Sequence, residues 1–421
     1  MDLKKFLEKV LPSASELGPL ERWAHTELDS AELARQACAV IRDYEAHPGK
    51  FPSEGTFRSH FSSVVAIFQQ ARTPEAQEVL RAEALPVLLR LYDERLAAWR
   101  RANAPGGYDS HANDLLFASK IFALYLAPEG LQRIREAARL PVGPEESMWP
   151  VVFGALAECD PQEALRMGTA LREPLPPGNL GVALLDMANT LAREHDLLPH
   201  LFDTSEGHER LRALLTDTNE NFFFRAHSAT ASLPFLKDPR PLFALADEHP
   251  DLPVRMEAAW ARAWLGESAG LERLVEWAQD PMTRYSAVRY LEELGAKPPP
   301  APPELDAMAE LCHWLEHPSE MGHLPDSIEV YDHRRLYWPP TRDERDVWLL
   351  RYRCEDDDPP EGVGMVGSVT FVLFNTTSAD MPPEDIYALH CCWELQQQGD
   401  PRAPQEPSVV AGRNLLGFTV H

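Results

Sequence analysis

Lysine is nearly missing from this chain: there are seven in 421 residues and none beyond Lys297. With arginine counted, 40 bases face 66 Asp and Glu, so the formal net charge is −26. Phosphate backbones and anionic bilayer surfaces reward clustered Lys and Arg, so nucleic acid and membrane are excluded as main partners. The small group Arg95, Arg100 and Arg101 does not reverse that balance. Long apolar runs are missing too, and no stretch approaches the roughly 18 residues that suggest a membrane-spanning helix. Residues 1–10 interleave charge with apolar side chains and lack the core of a secretory signal, so a cytoplasmic protein is expected. Six cysteines, at 38, 159, 312, 354, 391 and 392, form no C-x-x-C pair. That excludes a zinc knuckle or a disulfide framework and predicts reduced thiols.

What is present is enough apolar surface, 44% of residues, for a real core. The length fits two or three domains of about 150 residues, or one repeat array. Residues 1–296 read as helix after helix. Asp29-Ser30 caps a helix over 31–45, and Phe57, Phe61, Val64 and Phe68 mark another over 53–70. Pro74 opens a long helix to about 101, broken near Pro86.

A repeat emerges further on. Arg255 pairs with Arg284, Ala258 with Ala287, Leu265 with Leu294 and Gly266 with Gly295, each pair 29 residues apart. A weaker copy starts at Arg225, 30 residues before Arg255. A fixed period near 30, made of two short helices, is the sign of a stacked α-solenoid. Asp280-Pro281, the following Arg, the small Ala positions and the closing Leu-Gly resemble HEAT-like repeats of the phycobilisome-lyase type, most clearly over 220–296. The resemblance implies helical hairpins stacked into a curved surface. It fixes no activity, since such repeats serve as scaffolds, lyases and nucleic-acid readers. Physically, the alanines permit close helix approach and the glycines suit helix C-termini that need a left-handed residue.

Lys297-Pro-Pro-Pro-Ala-Pro-Pro303 then reads as a stiff linker, followed by a capping helix over 304–317. From 326 the apolar period changes to two, with strands expected over 327–331, 346–354 and 367–375. The acidic run 355–361 forms a connection between strands, a helix covers 384–398, and the tail from 408 to 420 is expected as an edge strand. The fold class expected is mainly α: a HEAT-like solenoid over 1–296, a linker and capping helix over 297–325, and a small α+β domain over 326–421.

Three strings match catalytic patterns. Gly266-Glu-Ser268-Ala-Gly270 fits the nucleophile elbow, but it follows a helix where that chemistry needs a strand, so it is expected to be a loop. Gly362-Val-Gly364-Met-Val-Gly367 fits a dinucleotide fingerprint, yet acidic residues precede it and a strand follows it. A hairpin turn or bulge is expected there. His313-Trp-Leu-Glu316-His317 is similar to the inverted zinc motif of pitrilysin-type metallopeptidases. That resemblance implies His313 and His317 as metal ligands, Glu316 as general base and Glu394, 77 residues after His317, as third ligand. Pro318 ends the helix at once, and both histidines point away from its apolar face, so a solvated face is the preferred reading. Cys391 and Cys392 diverge on one helix and are expected as buried thiols.

No cofactor is expected. The candidate binding residues are the repeat arginines Arg255 and Arg284 and the aromatic pair Tyr337-Trp338. The function expected is a non-enzymatic protein-interaction scaffold with an acidic surface and a basic protein partner. A positioning lyase and the zinc peptidase are the alternatives.

Overall fold

The protein is described by a computed structural model covering residues 18–51, 59–102, 110–140, 148–219, 222–317, 322–355, 357–358, 360–368, 372–374 and 381–418. The expectations for residues 1–10, for Phe57 and for the end of the strand over 367–375 lie outside these. Among the described residues the chain is mainly helical, with nineteen α-helices and one antiparallel sheet near the C-terminus. It divides into two compact units, the border falling between Arg255 and Met256.

The first unit is built of helices α1 (Pro19–Ala24), α2 (Ala31–Ala46), α3 (His60–Phe68), α4 (Pro74–Glu83), α5 (Leu85–Ala102), α6 (Ser110–Leu124), α7 (Pro128–Ala137), α8 (Trp149–Cys159), α9 (Pro161–Leu171), α10 (Gly178–His195), α11 (Ser205–Thr216), α12 (Phe223–Ala231) and α13 (Arg240–Asp247). Their starts follow from local chemistry. The Ser30, Ser59, Thr73 and Thr204 hydroxyls and the Asp160 carboxylate accept orphan N–H groups of the first turns. The break expected near Pro86 falls at Ala84, between α4 and α5. Helices two apart in sequence pack together: α6, α8, α10 and α12 form one row, α7 meets α9, and α11 meets α13. A buried polar triad joins α10 to α12. Asn189 donates to the Ser228 carbonyl at 2.9 Å, and His200 Nε2 donates to Asn189 Oδ1 at 3.1 Å. The Phe202 N–H donates to His200 Nδ1 at 3.2 Å, which fixes the neutral tautomer.

Helix α14 (Leu252–Trp264) carries the border. The second unit continues with α15 (Ser268–Trp277), α16 (Arg284–Glu293) and α17 (Pro303–Glu316). Strands β1 (Ser327–Trp338), β2 (Asp343–Arg353), β3 (Glu361–Val366) and β4 (Val372–Phe374) form a sheet in sequence order, every neighbouring pair antiparallel. Helices α18 (Pro383–Gln398) and α19 (Val409–Leu416) complete the unit.

Alternation along the strands gives the sheet two buried faces. Val347, Leu349, Val363 and Met365 pack with Ile386, Tyr387, Cys391 and Leu395 of α18. Leu350, Tyr352, Cys354 and Val366 pack with Ala307, Leu311 and Leu315 of α17. Cys391 and Cys392 are fully buried, as expected.

Two expectations are corrected. The Gly-rich segment is strand β3, neither turn nor bulge. A Cβ on Gly364 would stand 2.6 Å from Leu311 Cδ1, and one on Gly362 would collide with the Tyr352 ring. Gly364 makes room for Leu311 of α17 and Gly362 for the Tyr352 ring of β2, while Gly367, at φ +91°, closes the strand. The tail is also a helix, not an edge strand. Ser408 caps α19 through the Ala411 N–H at 3.2 Å, and Gly417 ends it at φ +71°. Gly412 lets α19 lie against the Ala388 backbone of α18, and these cap signals outweigh the β preference of Val409-Val410.

Candidate functional site

A groove of about 610 Å³ runs along α16 and α17 in the second unit. Tyr285, Val288, Arg289 and Glu292 line it from α16 at spacings of three and four, which place them on one helical stripe. From the other side α17 and its C-cap contribute Asp306, Glu310, His313, Trp314 and His317. The opposite stripe of α17 is buried on the sheet, so packing there holds the groove stripe outward.

The His313 ring lies flat on the Tyr285 ring, with centroids 3.7 Å apart and planes 8° from parallel. Partial burial, with the nearby Arg289 and His317 charges, pushes the His313 pKa below its ordinary value. Burial also raises the Glu310 carboxyl. The floor is thus aromatic and apolar, with carboxylates of Glu292 and Glu310 at its sides.

Arg284 borders the groove but is nearly buried and fully engaged. Its Nε donates to Asp306 Oδ1 at 2.7 Å and its Nη1 to the Ala278 carbonyl at 2.6 Å. Arg255 makes the corresponding bond in the first unit: its Nη1 donates to the His249 carbonyl at 2.6 Å, and also to Pro250. In both cases the acceptor lies six residues upstream. Gly266 and Gly295 share the positive φ expected of them, +82° and +68°. Arg284 is thus tied through two of its nitrogens, and Arg255 is held through Nη1 to the turn before its own helix.

The pair Tyr337-Trp338 is divided by strand alternation. Tyr337 is about half exposed, while Trp338 is fully buried. Trp338 is a core residue, because β1 ends where the sheet folds against α18 and its indole finds a carboxylate there.

The zinc-peptidase constellation does not assemble. His317 is the C-cap, at φ −63° and ψ 132°, so the second imidazole has left the helix that should carry both. Glu394 lies on α18, across the sheet from α17, where Oε2 accepts from Trp338 Nε1 at 2.6 Å and Oε1 pairs with His390 at 3.1 Å. The sheet itself separates Glu394 from the two histidines.

The first unit has its own cleft of similar size, where Arg81, Lys120, Tyr125 and Cys159 meet. Burial and the adjacent Glu158 raise the Cys159 thiol, which disfavours the thiolate needed for nucleophilic work.

No family model, curated protein or solved structure matches this chain. Function must be argued from the site. Reading the sequence picked out Arg284, His313 and His317 on one groove but missed Tyr285, Arg289 and Trp314. The stripe 285, 288, 289, 292 was the signal available; recognising it needed the neighbouring helix.

Proposed function

We propose that this protein is a non-catalytic interaction protein that grips a basic segment of a partner protein, and that the α16–α17 groove is the gripping surface. The observation that carries this reading is the stacked Tyr285–His313 pair beside Trp314, with the carboxylates of Glu292 and Glu310 alongside. Aromatic plates take apolar side chains or guanidinium faces, and flanking carboxylates select Lys or Arg between them. The net charge of −26 would speed the approach of a basic partner and make it salt-sensitive. The same charge disfavours nucleic acid and anionic membranes as partners; no described helix is long and apolar enough to cross a bilayer.

The scaffold in this proposal is a HEAT-like solenoid. The shared arginine bond to the carbonyl six residues upstream, the paired left-handed glycines and the rows of helices two apart support it.

The test is fluorescence polarisation with labelled peptides that interleave Arg or Lys with Leu or Phe, at low and raised salt. Binding should weaken with salt and fall on combining Glu292→Lys with Glu310→Lys. Equal binding of an acidic control peptide, or indifference to the double variant, would reject the reading.

A further inference from the structure

His323, Cys354 and Asp357 bring an imidazole nitrogen, a thiol sulfur and a carboxylate oxygen within 4.8 Å of one another. Among the described residues this is the one group of three such donors. We infer that it is a binding site for a borderline-soft divalent metal ion of the zinc class, placed to clip the open end of the β1–β2 hairpin.

The donors come from both sides of that hairpin. His323 lies just before β1, Cys354 follows β2 directly, and the first paired residues between them are Ser327 and Arg353. The frame around them is tied by backbone bonds. The Asp326 N–H donates to the Arg353 carbonyl at 2.8 Å, and the Glu355 N–H donates to the Asp326 carboxylate at 2.7 Å. The Asp357 N–H donates to the Cys354 carbonyl at 3.2 Å, and the Cys354 N–H to the Pro360 carbonyl at 2.8 Å. Asp326 is therefore occupied in orienting the loop, which leaves three ligands and one position open to solvent.

The imidazole is already oriented for a metal ion. Its Nδ1–H donates to the Leu324 carbonyl at 3.1 Å. That points Nε2 at Asp357, whose Oδ2 is 3.5 Å away in an ion pair, so a metal ion would take the place of the proton between them. A ligating histidine normally gives its other N–H to a carbonyl in this way. In a tetrahedral zinc site the donors stand roughly 3.3–3.6 Å apart, given metal–ligand bonds near 2.0–2.3 Å. The His323–Asp357 edge already has that length, and the Cys354 sulfur, within 4.8 Å of both, would close on the ion.

The donor set selects the ion. A sulfur and a nitrogen beside one carboxylate suit zinc or cobalt, whereas calcium and magnesium demand oxygen ligands. The acidic run 355–358 adds a field that gathers cations. As the metal bonds form, the Cys354 thiol proton and the proton held between His323 Nε2 and Asp357 pass to buffer; no oxidation or reduction is involved.

The experiment is titration of the full chain with Co²⁺ under a non-thiol reductant, read by absorption. One equivalent of cobalt should give a thiolate-to-cobalt charge-transfer band with tetrahedral ligand-field bands, and Zn²⁺ should displace it. Cys354→Ser should abolish the band. His323→Gln is the decisive variant, because it sits at the surface and leaves all six thiols in place. It should weaken cobalt binding by at least the ~10–100-fold that outer-shell losses cost, and Asp357→Asn should behave likewise. A band that survives His323→Gln at undiminished affinity, or a wild-type titration without a thiolate band, would overturn the site.

Discussion

The indole N–H of Trp338 donates to Glu394 at 2.6 Å inside the second unit, and both side chains are buried. The other Glu394 oxygen meets His390 at 3.1 Å, one turn back on α18. This relationship turns a supposed surface aromatic and a supposed metal ligand into a single structural tie between β1 and α18. Glu394→Ala should therefore cost about 3 kcal/mol or more, as removal of one member of a buried polar pair does. Glu394→Gln keeps an acceptor for the indole and should cost less. Urea unfolding monitored by tryptophan fluorescence compares the two.

His200 should set an acid limit on the first unit. Burial, only partly opposed by Asp203, lowers its pKa to about 4 from an ordinary 6.5. A histidine depressed in the fold binds its proton more readily in the unfolded chain. Its contribution is thus complete above pH 6.5 and is lost as pH falls from there towards 4. Between pH 7.5 and 4.5 the loss should be about 2–3 kcal/mol. Denaturant midpoints across that range should flatten in His200→Gln.

Tyr285→Ala tests the groove with little threat to the fold, since the residue is 42% exposed. Basic-peptide affinity should fall about 10-fold or more, as truncating an aromatic anchor does, while Tm changes little. A large loss of Tm with unchanged affinity would mean that the Tyr285–His313 stack only supports the helices.

Gly364→Ala should destabilise the second unit by about 1–3 kcal/mol, because the new methyl group meets Leu311. Leu311 is itself fully buried, so the check is a double-mutant cycle: Gly364→Ala with Leu311→Ala should cost less than the sum of the two single losses in thermal melts.

Arg284→Lys keeps the charge but cannot reach Asp306 and the Ala278 carbonyl together. We expect a loss of about 1–3 kcal/mol in denaturant unfolding, in line with a repeat latch.

Much of the helical organisation was legible in the sequence. Ser30 caps where it should, Pro74 opens α4, Gly266 and Gly295 end their helices, and the apolar period changes near the sheet. These signals are local: helix hydrogen bonds and caps join residues three or four apart, so residues near one another in the sequence suffice to specify them. The tertiary structure decided the rest. The Gly-rich segment became β3 because Tyr352 of the paired strand β2 and Leu311 of the more distant α17 fill the space above it. Trp338 became core and Glu394 its partner because β1 meets α18 across 56 residues of chain. The inverted zinc motif failed because the sheet stands between its pieces, while His323, Cys354 and Asp357, which form no sequence motif, meet at the end of a hairpin. Lysine scarcity pointed to an acidic protein from the outset. Only strand pairing and helix packing, which join residues far apart in the chain, decided where its carboxylates meet aromatic rings, and where three metal donors converge.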